Sequence, residues 1–190
     1  MNWANRLTLG RLALTVLFAI SLSSAWPYGR TVALILFVLA GISDYYDGEI
    51  ARRYGIVTKF GKLMDPLVDK VMMAAGFICL VPLGAVPAWV ATIVVARDFL
   101  ITGLRLLAAT AGLVLPAEKL GKHKTSWQIA TVVYFLLLLA AHELKLVEPG
   151  AVWWQHAWRY GGNLLLWITI SLTIYSGLRY LWRHRGLVEE

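Results

Sequence analysis

The stretch SDYYDGEIARRYGIVTKFGKLMDPLVDK, from Ser43 to Lys70, holds four aspartates and is the most polar part of a strongly apolar chain. Of the 190 residues, 59% are hydrophobic and only 15% are charged. Soluble domains average about 45–50% apolar residues and about 25% charged residues. The excess of apolar residues lies in separate blocks, each close to the roughly 20 residues that cross a bilayer as a helix. The composition therefore predicts an all-α, polytopic membrane protein that forms a single domain over residues 1–190.

The apolar blocks predict six transmembrane helices, at Leu7–Ser24, Thr31–Arg52, Asp65–Val81, Ala88–Ala109, Ser126–Ala141 and Leu164–Trp182. An even number of spans places both termini on the same side of the membrane. Of the 18 lysines and arginines, all but Arg30, Lys145 and Arg159 fall on that side. Because Lys and Arg are concentrated in cytoplasmic loops, both termini are predicted to be cytoplasmic.

The second predicted span carries its first two aspartates into the membrane. Its apolar part, Thr31 to Ser43, covers roughly 20 Å as a helix, whereas the hydrocarbon layer is about 30 Å thick. A continuing helix therefore keeps Asp44 and Asp47 within the cytoplasmic half of the bilayer. A carboxylate there costs about 2.5–3.5 kcal/mol on insertion scales and needs a partner or a water-filled cavity, so such residues are predicted to be functional.

Helical spacing places these two aspartates beside small residues and an arginine. Asp47, Gly48, Ala51 and Arg52 all lie within about 80° of Asp44 around the helix axis. The small residues leave room for a ligand to approach the backbone closely. They would also suit tight packing between helices.

Asp65 and Asp69 are four residues apart and lie one above the other on the third predicted helix. With the two aspartates of the second helix they would bring four carboxylates together, and these repel one another unless cations neutralise them. Mg²⁺ and Mn²⁺ suit a site of carboxylate oxygens, and no Cys/His cluster suggests zinc. The alternative is a set of ion pairs with the basic residues Arg52, Arg53, Lys62 and Lys70.

The same residues resemble the signature of a known family. The pattern Asp44-Tyr-Tyr-Asp47-Gly48-Glu-Ile-Ala51-Arg52, then Gly61, Asp65 and Asp69 at fixed spacing, matches the CDP-alcohol phosphatidyltransferases at every fixed position. The chain length, the six spans and the opening Asn5-Arg-Leu7-Thr8-Leu-Gly-Arg11 are similar to that family as well. The resemblance implies a membrane enzyme that transfers the phosphatidyl group of CDP-diacylglycerol to an alcohol and releases CMP.

The resemblance also implies roles for individual residues. Two divalent cations, Mg²⁺ or Mn²⁺, would be held at the pyrophosphate by Asp44, Asp47, Asp65 and Asp69. Asp69 would in addition act as the catalytic base that takes the proton of the attacking hydroxyl group. The residues expected to bind CDP-diacylglycerol are Asn5, Thr8, Arg11, Gly48, Ala51, Arg52 and Gly61.

Basic residues further along the chain indicate the acceptor alcohol. The segments ARDFLITGLRLLAA and KLGKHKTSWQ resemble the phosphatidylglycerophosphate synthases, and their cations suit an acceptor that carries a phosphate. We therefore expect sn-glycerol 3-phosphate as acceptor and phosphatidylglycerol phosphate as product. The residues expected to bind the acceptor phosphate are Lys59, Arg97, Arg105, Lys119, Lys122 and Lys124. An ion pair with Asp98 is the alternative for Arg97, and an ordinary positive cytoplasmic loop is the alternative for the lysines.

Other functions stay open from the residues alone. Inositol phosphate, serine or phosphatidylglycerol could be the acceptor within the same family, the last giving cardiolipin. A divalent-cation transporter would also place carboxylates inside the membrane, and a structural membrane protein is a further option. A second, weaker candidate metal site is His142, Glu143 and His156, whose spacing matches no ligand pattern.

The expected partners are CDP-diacylglycerol, glycerol 3-phosphate and membrane lipids. A homodimer is compatible with the sequence. The net charge of +7 reflects the sorting of cations across the membrane, so no nucleic acid is expected as a partner. The expected location is the inner (cytoplasmic) cell membrane, as a multi-pass protein whose active site faces the cytoplasm.

Overall fold

The computed structural model describes residues 3–54, 59–110, 119–148 and 150–183; within these ranges, the side chains of residues 3–7, 44–54, 59–63, 65, 110 and 119–122 are not described. The described chain consists of helices joined by loops, with no strand, which confirms the all-α prediction. Its helices are α1 (Trp3–Ser23), α2 (Gly29–Tyr54), α3 (Lys59–Leu80), α4 (Ala88–Thr110), α5 (Lys119–Glu143), α6 (Val152–His156) and α7 (Gly162–Arg183). A π-helical turn, Ala157–Gly161, joins the last two into one rod.

Contacts between helix ends show that successive long helices run in opposite directions. At one end, Ser21 Oγ near the end of α1 donates a hydrogen bond to Gly29 O at the start of α2, at 2.8 Å. Glu143, at the end of α5, accepts hydrogen bonds from the first turn of α2. At the other end, Arg105 near the end of α4 contacts Tyr180 near the end of α7. We call this second end the polar end; α1, α3 and α5 begin there, and α2, α4 and α7 finish there.

The helix bundle buries polar groups and exposes apolar ones. The buried polar residues toward the polar end and the middle of the bundle are Thr8, Arg11, Thr15, Asp98, Lys124, Gln128, Thr131, Thr169, Thr173 and Ser176. Large apolar side chains such as Leu17, Ile20, Ile35, Leu107 and Trp167 are exposed on the outer surface. Soluble proteins seldom bury charged residues or expose apolar surface to this extent. The distribution is that of a protein whose outer surface contacts lipid.

Two stretches of the described chain, His123–Glu143 and Val152–Arg183, are long and apolar enough to cross a membrane by length and composition. Shorter apolar helices cover Thr8–Ser23 and Gly29–Ser43. The fold is consistent with a membrane protein. Each of the six long helices overlaps one of the six predicted spans, but the number of spans and the orientation of the termini stay predictions.

Two helices begin well over one full turn earlier than their hydropathy indicates. α5 begins at Lys119 and not at Ser126, and α3 begins at Lys59 and not at Asp65, so Pro66 lies inside α3. Hydropathy marks the apolar part of a helix, whereas lysine is itself a good helix former. Cations in the first turns of α5 are unfavourable beside the positive end of the helix dipole. An ion pair with α4, described below, offsets this. The short helix α6 and the π-helical turn were not predicted.

The carboxylate of Glu143 caps α2 from the neighbouring helix. It accepts hydrogen bonds from Arg30 N at 3.1 Å, from Thr31 N at 2.8 Å and from Thr31 Oγ1 at 2.7 Å. The two backbone N–H groups belong to the first turn of α2, where N–H groups have no acceptor within their own helix. The weak metal site predicted at His142, Glu143 and His156 is not supported, because no cluster of three such ligands occurs among the described residues. Glu143 is a structural residue.

Candidate active site

The four aspartates occupy the two helix segments that meet at the polar end. Asp44 and Asp47 lie in the second half of α2, and Asp65 and Asp69 lie in the first half of α3. The two helices contact each other, and α1 packs against both. The side chains of Asp44, Asp47 and Asp65 lie outside the described residues, so their convergence stays a prediction. The same holds for Gly48, Ala51, Arg52 and Gly61, whose backbone belongs to the same two helix segments.

Asp69 is the one aspartate of the four whose side chain is described. Its carboxylate is about one-third exposed, and its Oδ2 atom lies 4.0 Å from Lys70 Nζ. An ion pair at that distance between partly exposed groups is weak. Asp69 therefore keeps access to solvent at the polar end, as a ligand of a metal ion or an acceptor of a proton requires.

α1 contributes a polar stripe to the same end of the bundle. Thr8, Arg11 and Thr15 are buried and recur at the three- and four-residue spacing of one helix face. The same face continues in Phe18 and Leu22, which belong to the apolar core. The predicted ligand-binding residues Thr8 and Arg11 thus point into the bundle and not toward lipid. The side chain of Asn5 lies outside the described residues.

A second group of charges lies between α4, α5 and α7. Lys124 Nζ donates a hydrogen bond to Asp98 Oδ1, and Arg97 Nη1 donates to the same oxygen at 3.3 Å. Arg97 Nη2 also donates to Ser176 Oγ at 3.0 Å. Asp98 is 4% exposed and Lys124 is 1% exposed. We call Arg97, Asp98, Lys124 and Ser176 the interhelix cluster.

The interhelix cluster is linked to the aspartate helices in space. α3, which carries Asp69 and Lys70, packs against both α4 and α5, the helices that carry the two cations of the cluster. Two of the predicted acceptor residues, Arg97 and Lys124, are therefore brought together beside the carboxylate helices. The ion pair of Arg97 with Asp98, weighed as an alternative to phosphate binding, is present in the structure.

Arg105 is held two turns further along α4, by α7. Its Nε atom donates a hydrogen bond to Tyr180 Oη at 3.3 Å, and its guanidinium carbon lies 5.3 Å from the centroid of the same ring. The remaining predicted acceptor residues, Lys59, Lys119 and Lys122, have side chains outside the described residues. Their backbone begins α3 and α5 at the polar end.

The sequence reasoning missed the contribution of α7. Ser176 accepts a hydrogen bond from Arg97, and Gly177 provides the space for the arginine chain, since a Cβ there would lie 3.0 Å from Arg97 Cγ. Small and hydroxyl residues within a span indicate close helix packing, but not which helix approaches. Tyr180 was missed for the same reason.

The donor chemistry at the polar end fits a divalent cation. The four signature aspartates offer oxygen ligands alone, which Mg²⁺ and Mn²⁺ prefer. Among the described residues, which include the side chain of only Asp69 of the four, no group of three or more His, Cys, Asp or Glu could hold a metal ion. Asp69, whose carboxylate is partly exposed, is compatible with a role as one of the ligands.

Comparison with known proteins identifies the family. A sequence model of the family described as CDP-alcohol phosphatidyltransferase matches residues 1–175. The chain is 36% identical, over 94% of its length and 93% of the relative's, to a CDP-diacylglycerol–glycerol-3-phosphate 3-phosphatidyltransferase of Bacillus subtilis. A protein of the same name from Rickettsia bellii is 33% identical over the same shares of both chains. A probable phosphatidylglycerophosphate synthase of Mycobacterium tuberculosis is 38% identical over 73% of this chain and 68% of its own. This chain belongs to the CDP-alcohol phosphatidyltransferase family.

Proposed function

We propose that this protein transfers the phosphatidyl group of CDP-diacylglycerol to sn-glycerol 3-phosphate, and so forms phosphatidylglycerol phosphate and CMP. The observation that carries the proposal is the similarity, at 33–36% identity over 94% of the chain, to relatives named for that reaction. The cations inside the bundle support it, Lys124 of α5 being buried and Arg97 of α4 partly buried, because a phosphate-bearing acceptor is bound most strongly by charge-assisted hydrogen bonds.

In the proposed reaction, the primary hydroxyl oxygen of glycerol 3-phosphate attacks the phosphorus atom that bears diacylglycerol. A phosphorus–oxygen bond to glycerol forms, the bond from that phosphorus to the phosphate of CMP breaks, and the hydroxyl proton passes to the Asp69 carboxylate. The partial exposure of Asp69 supports this role, because an acceptor alcohol from the cytoplasm must reach the base.

The proposed cofactors are two divalent cations, Mg²⁺ or Mn²⁺, held by Asp44, Asp47, Asp65 and Asp69. The family generally uses divalent cations. When bound, such ions neutralise the charge on the pyrophosphate and on the departing CMP. The protein's own part is to hold the four carboxylates on two adjoining helix segments.

The nucleotide side of the site is proposed to lie between α1, α2 and α3. The small residues Gly48, Ala51 and Gly61 would let CDP-diacylglycerol approach the backbone, and Arg52 would contact its phosphates. The buried positions of Thr8 and Arg11 in α1 support a place for them in the same pocket. The acyl chains would remain in lipid along the apolar outer surface of the bundle.

The proposed acceptor is tested by offering alternatives. Purified protein is incubated with CDP-diacylglycerol and, separately, with glycerol 3-phosphate, glycerol, serine, inositol 1-phosphate or phosphatidylglycerol, and the lipid products are identified by mass spectrometry. We expect phosphatidylglycerol phosphate from glycerol 3-phosphate and little product from the others. If cardiolipin, phosphatidylserine or phosphatidylinositol phosphate is the main product, the proposed acceptor is wrong, although the reaction is still a phosphatidyl transfer.

We further propose six transmembrane helices with both termini, and the polar end, in the cytoplasm of a cell with this protein in its inner membrane. In a Cys79→Ala background, cysteines introduced at Ser24 and Ala151 should react with an impermeant maleimide added outside the cell. A cysteine at His123 should react only after the membrane is opened. Labelling of Ala151→Cys from the cytoplasmic side alone would contradict the six-span topology.

A further inference from the structure

The interhelix cluster contains two cations and only one carboxylate, so its charges do not cancel. Arg97 and Lys124 both donate to one carboxylate oxygen, Asp98 Oδ1. Among the described residues, Asp98 is the only acid within ion-pair distance of either cation. One buried carboxylate therefore faces two cations, of which Lys124 is buried and Arg97 has a side chain that is 15% exposed. A buried charge without compensation is expensive, so the excess charge indicates that an anion completes the cluster.

Hydrogen-bonding groups near the cluster are also incomplete. Arg97 Nε, both amide atoms of Gln128, and Thr173 Oγ1 are buried and make no hydrogen bond within the described part of the chain. Gln128 lies one turn beyond Lys124 on α5, and Thr173 lies one turn before the glycine that accommodates Arg97 on α7. Buried polar groups are normally satisfied by protein, water or ligand. Polar atoms from α4, α5 and α7 thus lack a hydrogen-bond partner within the described residues.

Asp98 is placed to hold the two cations together. Arg97 and Lys124 come from different helices and repel each other at close range. The shared oxygen of Asp98 fixes both, and Ser176 on α7 fixes the far side of the Arg97 guanidinium at 3.0 Å. Gly177 leaves room for the arginine chain, since a Cβ there would lie 3.0 Å from Arg97 Cγ. Arg97 is therefore held from two sides, by Asp98 and by Ser176.

We propose that Asp98, assisted by Ser176, is a positioning residue that holds Arg97 and Lys124 for the phosphate of the acceptor alcohol. This inference rests on the proposed function, and it adds that acceptor affinity depends on a carboxylate that does not itself touch the acceptor. It also assigns α7 a part in acceptor binding, since one of the two anchors of Arg97 lies there.

The direction in which the KM for glycerol 3-phosphate changes shows whether Asp98 positions the two cations or only offsets their charge. Asp98→Asn keeps the size of the side chain and removes its charge. If Asp98 only weakened the positive field of the cluster, the variant would bind phosphate more tightly and the KM for glycerol 3-phosphate would fall. If Asp98 positions the cations, they separate in the variant, and the KM for glycerol 3-phosphate rises about ten- to a hundred-fold, the usual effect of losing a charge-assisted contact. The KM for CDP-diacylglycerol is expected to stay unchanged.

A second variant and a double variant keep the test independent of folding. Ser176→Ala removes one anchor of Arg97 without altering the charge of the cluster, and should raise the KM for glycerol 3-phosphate by a smaller factor than Asp98→Asn. Lys124→Met should raise it as well. The Asp98→Asn/Lys124→Met double variant should lose less than the product of the two single effects, because residues that act through each other are not additive.

The matched control is Glu143→Gln, which removes a carboxylate with a purely structural role at the opposite end of the bundle. It should lower the melting temperature while leaving the ratio of the two KM values at its wild-type level. Binding is measured separately, as the rise in melting temperature on addition of glycerol 3-phosphate or of CDP. We expect Asp98→Asn to lose the first response and to keep the second.

The proposal is overturned if Asp98→Asn and Ser176→Ala leave the KM for glycerol 3-phosphate unchanged, lower it, or change both KM values in parallel. If Asp98→Asn does not fold, Ser176→Ala decides the question alone. Failure of the proposed function would look different: the wild-type protein itself would neither use glycerol 3-phosphate nor be stabilised by it.

Discussion

EDTA is expected to abolish CMP release from CDP-diacylglycerol by this protein, and an excess of Mg²⁺ or Mn²⁺ is expected to restore it. The reason is the proposed donor set: four carboxylates from adjoining segments of α2 and α3 would repel one another at one site unless cations lay between them. The pyrophosphate of the substrate adds further negative charge to the same site. Loss of the cations should therefore stop turnover completely and not merely weaken binding.

Asp44→Asn tests the same site without a chelator. Removing one oxygen ligand with a charge should lower the apparent affinity for Mg²⁺ by more than the roughly 10–100-fold that follows loss of an outer-shell partner. The measurement is CMP release as a function of Mg²⁺ concentration, with Glu148→Gln as the control because that carboxylate is exposed and distant from the site. Full activity of the wild type in EDTA, or an unchanged Mg²⁺ dependence of Asp44→Asn, would contradict the metal site.

Asp69→Asn should reduce transfer by about 10²–10⁴-fold, the contribution that a positioned general base usually makes. The substitution preserves size, so CDP-diacylglycerol should still bind. The rate of the wild type should rise with pH as the base ionises, and the variant should lose that dependence. CMP release is measured against pH at saturating and at limiting Mg²⁺.

The competing role of Asp69 is that of a metal ligand alone. In that case excess Mg²⁺ should largely rescue Asp69→Asn, and the pH profile of the variant should match that of the wild type. Lys70→Gln is the control for the neighbouring charge, because Lys70 Nζ lies 4.0 Å from the Asp69 carboxylate. Rescue by metal would remove Asp69 as the base and leave the other three aspartates in place.

The helical fold could be predicted from hydropathy, whereas the helix ends could not. Apolar blocks identify the six long helices, because a bilayer span requires about 20 apolar residues. They do not reveal that a helix continues into its charged flank. α5 begins at Lys119, before its apolar part. Its charged first turns are stabilised by the ion pair of Lys124 with Asp98, which lies 26 residues away on another helix.

The candidate site, too, has a part that the sequence could predict and a part that it could not. The spacing of Asp44, Asp47, Asp65 and Asp69 is local, so the sequence itself indicates that they share adjoining helix segments. The partners of Arg97 are not local: Ser176 lies 79 residues further along the chain. Sequence alone could therefore identify Arg97 as a cation within a predicted span, but not that α7 anchors it.

The most direct test of the proposed reaction is its stoichiometry. Purified protein is incubated with CDP-diacylglycerol, Mg²⁺ and radiolabelled glycerol 3-phosphate, and both the CMP released and the label transferred to the lipid fraction are counted. The proposed reaction predicts one CMP for each phosphatidylglycerol phosphate formed, with neither product when one substrate is omitted. Release of CMP without transfer of label, as hydrolysis to phosphatidic acid would give, would contradict it.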